Sequence, residues 1–218
     1  MNYASYQGPM NMDLLEGMIP CGEWGLPAIL KTNAKPTRVI GFDKAVAKNE
    51  NDYTQWVHFY QHDSRFQRLL RNPWRYIPIL LRYEGVISPD CSVFWDYPLY
   101  RQLESIGRSR ELGSCLQRCG ANVIQNYRWG KPNTYAFAFD CIETGGTVAV
   151  GTLGCMREKE PRLVFEQGFE QLRLRVQPDC IVVVGSRKSP VFAEAEQDGI
   201  EIIAFEGSTA EYFRKKAM

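Results

Sequence analysis

The chain has 218 residues, a formal net charge of +1, 44% apolar residues and 23% charged residues. That balance fits one folded α/β domain and excludes a disordered or membrane-embedded chain. The small net charge forces no bulk attraction to nucleic acid or anionic lipid, but the charge is unevenly spread. Residues 64–83 carry Arg65, Arg68, Arg71, Arg75 and Arg82 with no acid, whereas residues 189–213 carry six acids and no base.

Residues 1–36 are dense in glycine and proline and read as an irregular arm with one helical turn near Met12–Met18. Residues 37–218 read as a single α/β domain. The first 20 residues lack a basic segment followed by an apolar one, and no apolar run approaches the ~20 residues of a membrane helix. A cytoplasmic protein with no membrane association is expected. Seven cysteines stand at 21, 91, 115, 119, 141, 155 and 180, with only two histidines in the chain. Without paired short spacings they form no zinc cage, so no metal site and seven reduced thiols are expected.

Strands are expected at "TRVIGF" (37–42) and "QWVHFY" (55–60). Pro73 and Pro78 divide the helical stretch 64–82 into two short helices. A strand at 85–88, a helix at 96–118 and a strand at 121–127 follow. Residues 134–142 suit either a strand or a short helix. Strands at 147–152, 180–185 and 200–205 then alternate with helices at 160–176, 190–197 and 208–216. Within helix 160–176, Leu163, Phe165, Phe169, Leu172 and Val176 are expected to face the core.

The runs Val148-Ala149-Val150 and Ile181–Val184 are apolar on successive residues, which means burial on both faces of a parallel sheet. Repeated βαβ units give six or seven mostly parallel strands. Two architectures fit, an open doubly wound sheet or an incomplete β/α barrel, since a full barrel needs about 250 residues.

Phosphate-loop, dinucleotide, serine-elbow and zincin motifs are all missing, and no cofactor is implied. What remains is position. Residues just after parallel strands share one rim, where helix N-termini and loop amides converge on ligands. That reasoning selects Asp90 and Arg128 as candidate catalytic residues, and Asp63, Asp96, Trp129, Thr152, Cys155 and Ser186 as candidate ligand contacts. Pro89 ends its strand because it cannot donate to the ladder. Asp90 then either caps the next helix or faces the rim. Arg128 suits a phosphate or carboxylate, or an ion pair with Asp90 or Asp96. Trp95 or Trp129 would wall the pocket. Cys155 could act as a nucleophile only if His62 reached across the rim.

"GVISPDCSVFWDYPL", "NPWRYIPILLRYEG", "NVIQNYRWG" and "TVAVGTLGC" resemble the bacterial, phage and mobile-element family called domain of unknown function 4417. The resemblance runs from about residue 20 to about 190, and Cys91 replaces an aromatic of the family pattern. It implies a phage or mobile-element context and no catalytic residue. Two functions from different classes therefore stand. One is a rim site acting on a small anionic or nucleotide-like ligand, with Asp90 as general base or metal ligand and Arg128 as anion clamp. The other is a non-catalytic accessory protein that binds nucleic acid or a host protein through its arginine-rich face. Those arginines equally suit the wet face of two core helices.

Overall fold

The doubly buried runs assemble into one seven-stranded sheet in the computed structural model, which describes residues 11–141 and 143–207. A two-stranded antiparallel hairpin, β1 (Pro20–Cys21) and β2 (Leu26–Pro27), precedes it in the arm. The sheet itself comprises β3 (Val39–Gly41), β4 (Trp56–His58), β5 (Gly85–Ile87), β6 (Val123–Asn126), β7 (Thr147–Gly151), β8 (Cys180–Val184) and β9 (Glu201–Phe205). Every neighbouring pair is parallel, and the spatial order is the chain order. A doubly wound sheet reverses its order at a switch point. This one never does, and it curls into a half-barrel. The incomplete barrel is thus the architecture present.

Alternation along the strands divides the core in two. On the outer face Val57, Val86 and Val123 meet α2 (Gln67–Arg71), α3 (Pro73–Leu80) and α4 (Leu99–Arg118). Val148, Val150, Ile181 and Val183 meet α6 (Lys159–Val176) and α7 (Pro190–Gln197) on the same face. The intervening residues Trp56, Ile87, Ile124, Ala149, Val182 and Val184 pack with one another on the concave side. Glycine makes that side possible. A Cβ at Gly85 would lie 2.4 Å from the Trp56 ring, so the indole lies across bare backbone.

The arm carries a 3-10 turn at Met12–Leu15, inside the stretch expected to be helical. It packs along α4, where Gly113 admits Ile29 and Arg118 donates to the Leu14 carbonyl. A four-residue helix, α1 (Phe42–Ala45), follows β3, and another, α5 (Tyr135–Ala138), resolves the ambiguity at 134–142. The two short helices expected within 64–82 are present and divided at Pro73, but Pro78, also expected to interrupt the stretch, lies inside α3. The helix expected at 208–216 and the first ten residues of the arm lie outside the described residues.

Two expectations are corrected. Leu163 is 45% exposed, on the solvent side of α6, while Phe165, Phe169, Leu172 and Val176 are buried. The helix turns by about 100° per residue, so 163 falls off the stripe set by 165, 169, 172 and 176. The cysteines are not all free either. Cys21 and Cys141 form a disulfide that joins the hairpin to the loop after α5, with a Cα–Cα distance of 5.4 Å. Their separation of 120 residues hid the pairing from any local spacing rule. Cys91, Cys115, Cys119, Cys155 and Cys180 are free. No described helix is long and apolar enough to cross a membrane.

Candidate functional site

β5 ends at Ile87, and Ser88, Pro89 and Asp90 carry the chain over the carboxyl edge of the sheet. β6 ends beside it, and Tyr127 and Arg128 follow. Parallel pairing of β5 with β6 therefore sets Asp90 and Arg128 side by side. They form a two-pronged ion pair. Arg128 Nη2 donates to Asp90 Oδ2 at 2.6 Å, and Nε donates to Oδ1. The side chains are 18% and 6% exposed, so Asp90 has left water and Arg128 has largely done so. Desolvation of that kind costs several kcal/mol per ion unless the geometry and further hydrogen bonds offset it.

Those further bonds are present. Asn126 Nδ2 donates to Asp90 Oδ1 at 3.1 Å, and Tyr60 Oη donates to Asn126 Oδ1 at 2.9 Å. Arg128 Nη1 donates to the Gly151 carbonyl at 3.1 Å and to Cys155 Sγ at 3.4 Å. Burial pulls the Arg128 pKa down, but the Asp90 carboxylate overrides it, and the guanidinium is held well above its ordinary value. Burial, and then the Asp90 charge, push the Tyr60 phenol well above its usual pKa. Tyr60 fits because Gly151 is bare; a Cβ there would lie 2.2 Å from its ring. Both Asp90 oxygens accept from Arg128, so this carboxylate orients the guanidinium.

The other expected contacts are spread along the rim. Thr152, just past β7, is 3% exposed, and its hydroxyl has no partner among the described residues. Its Oγ1 lies against Gly185, where a Cβ would approach to 2.4 Å. Asp63 accepts from Ser92 N at 3.2 Å and from Ser92 Oγ at 2.7 Å, tying the loop after β4 to the loop after β5. Asp96 and Ser186 are exposed and do not join the pair. Trp129 packs onto α6, donating to the Val164 carbonyl at 3.1 Å over the bare Cα of Gly168. With Trp95 it walls a cleft of about 50 Å³ beside Arg128 and Cys155. On the other side of Arg128 a void of about 10 Å³ has room for one water. Asn126 and Tyr60 were missed by reading strand ends. The available signal was Asn126 itself, an amide closing the otherwise buried strand "VIQN".

The arginine stretch is built differently. Asn72 and Pro73 break the helix, so α2 and α3 bury Leu69, Tyr76, Ile77 and Leu80 and turn their arginines outward. Arg65, Arg68, Arg71 and Arg75 line an open groove of about 450 Å³. Arg65 is paired with Asp43 at 2.7 Å. Arg68, Arg71 and Arg75 form no ion pair with a described residue. Arg68 lies 5.4 Å from the Phe42 ring and 5.7 Å from Tyr76, and Arg75 lies 5.8 Å from Tyr76. The rings hold these guanidinium planes while their N–H edges face water.

The sequence comparisons point to a family without an assigned activity. Over 129 residues the chain is 31% identical to the Gene 1 protein of Mycobacterium phage D29, covering 59% of this chain and 48% of that protein. It is 32% identical, also over 129 residues, to the Gene 1 protein of Mycobacterium phage L5, covering 59% and 56%. The matched segment thus spans about half the length of each phage relative. No solved structure matches the chain. The family profile described as Domain of unknown function (DUF4417) matches residues 20–206, which take in the hairpin, the whole half-barrel and its rim, and the chain belongs to that family.

Proposed function

We propose that this is an accessory protein of phage or mobile-element origin that binds nucleic acid in the cytoplasm through the groove between α2 and α3. The observation that carries this reading is the trio Arg68, Arg71 and Arg75, exposed on an open groove and without an ion-pair partner among the described residues. A guanidinium offers paired donors that match phosphate oxygens, and each phosphate neutralised releases condensed counterions. The sheet order adds direction. α2 and α3 lie between β4 and β5, whereas Glu194 and Glu196 on α7, and Asp198 just after it, lie between β8 and β9 and are paired with Arg173 and Arg187. A polyanion is therefore drawn to the end of the half-barrel that carries the unpaired arginines.

The test is binding of a fluorescein-labelled oligonucleotide between about 50 and about 200 mM salt. Three phosphate contacts give a log–log slope of about −2 to −3. A flat salt response, or no binding at the lowest salt, contradicts the reading.

A second reading is favoured by one feature of the rim, the Arg128 Nη1 and Cys155 Sγ contact at the mouth of the cleft walled by Trp95 and Trp129. A volume of about 50 Å³ suits an ion the size of phosphate rather than a nucleotide. Calorimetric titration of the full chain with inorganic phosphate tests it. Heat that disappears in a folded Asp90→Leu, Arg128→Met double variant supports a rim anion site, and absence of heat in the native chain rejects it.

A further inference from the structure

The loop between β5 and α4 carries two exposed aromatic rings, Phe94 and Tyr97, and the first turn of α4 adds a third, Tyr100. Phe94, Tyr97 and Tyr100 are 49%, 51% and 65% exposed. The Phe94 and Tyr97 centroids are 4.7 Å apart with ring planes at 34°, so the two rings form one surface. Apolar area left contiguous in water is uncommon unless it is used. None of the three rings belongs to a core cluster, and none is needed to close the half-barrel.

Cations stand around this surface. Lys131 Nζ lies 4.3 Å from the centre of the Trp95 ring, and the Arg101 guanidinium, paired with Glu104, lies 5.3 Å from that of Tyr100. The loop is also fixed at both ends. Ser92 is tied to Asp63, and Gln102 Nε2 donates to the Tyr97 carbonyl at 2.7 Å. Asp63 opens the 3-10 turn Asp63–Arg65, which leads directly into the arginines of the groove. A hydrogen-bonded tether thus joins the segment that carries the rings to the one that leads into the groove arginines.

We infer that Phe94, Tyr97 and Tyr100 form a stacking platform for the bases of single-stranded nucleic acid. This rests on the arginine-groove reading and narrows it: the groove carries the backbone and the ledge takes the bases. Rings offer stacking to every base because each base has a π-face, but only unpaired bases can reach them. Asp96, exposed in the same loop, is a poor neighbour for phosphate and a suitable acceptor for an exocyclic amine. Bases rather than backbone are therefore the groups that fit here.

The experiment compares a labelled oligocytidine, whose bases carry the exocyclic amine, with a labelled duplex of equal length, by anisotropy at low salt. The native chain and three variants are measured: F94A/Y97A/Y100A, F94L/Y97L/Y100L and R68A/R71A/R75A. Because the rings are exposed, the ledge variants keep the native melting temperature. The inference predicts tighter binding of the single strand, and a loss of at least about tenfold in both ledge variants with duplex affinity unchanged. Native single-strand affinity in the alanine variant overturns the ledge but leaves the groove standing. Loss in the ledge variants with no loss in the arginine variant keeps the ledge and rejects the groove. Leucine rings-to-chains replacement that preserves binding also overturns stacking, since apolar area alone then suffices. A change of oligomeric state in the alanine variant, seen by light scattering, assigns the ledge to a second copy of the chain and overturns the inference as well.

Discussion

Arg128 and the arginines of α2 and α3 carry the same guanidinium into opposite surroundings. Arg128 spends four donor contacts on Asp90, Gly151 and Cys155, inside the sheet edge. Arg68, Arg71 and Arg75 keep theirs in water, Arg68 and Arg75 beside aromatic rings. A third case separates burial from pairing. Arg110 is 3% exposed on α4 and donates to the Asp140 carbonyl at 2.7 Å, while its Nη1 has no partner among the described residues. Burial without a bonded carboxylate lowers its pKa, whereas Asp90 keeps that of Arg128 high. A charged side chain at a strand end is therefore not in itself evidence of a ligand. What matters is whether its donors are already engaged.

The largest expected effect breaks the closed region. Arg128→Ala leaves Asp90 buried and uncompensated, and should cost about 3–5 kcal/mol of unfolding free energy in urea. The pair replacement Asp90→Leu with Arg128→Met should recover much of that loss, because hydrophobes of similar volume often replace buried pairs without penalty. A loss under about 1 kcal/mol for Arg128→Ala would mean that the pair is not a structural tie. Next in size, Gly151→Ala forces Tyr60 off the rim and should cost about 1–3 kcal/mol by overpacking. Near-UV circular dichroism should report the displaced ring, and an unchanged spectrum and midpoint would refute that packing. The smallest effect belongs to the open region. R68A/R71A/R75A should move stability by no more than about 1 kcal/mol per site, since only exposed ring contacts of Arg68 and Arg75 are lost. A large loss there would show the groove arginines to be structural after all.

Much of the fold was legible, and for a definite reason. Val148–Val150 and Ile181–Val184 are apolar on both faces, and only a covered parallel sheet uses such runs. Once strands are parallel, Asp90, Arg128 and Thr152 must share one edge, and they do. The strand order was not legible, because local patterns do not encode which strands become neighbours. Asn126 and Tyr60 escaped notice because they belong to the strands or their last steps rather than to the loops that were searched. Cys21 and Cys141 meet through the tertiary path of the arm, which no spacing reveals. The arginine groove was visible as composition alone. Its openness depends on the break at Asn72–Pro73 and on the rings of Phe42 and Tyr76, which fix the side chains from beneath.

The central claim is that the open arginines, and not the buried one, meet a polyanion. The salt dependence of oligonucleotide binding, measured side by side for the native chain and R68A/R71A/R75A, tests it most directly. Each lost phosphate contact should flatten the log–log slope by about 0.7 to 0.9, so the triple variant should bind more weakly and with a slope shallower by about two to three. Equal affinities and equal slopes for the two proteins would contradict the account.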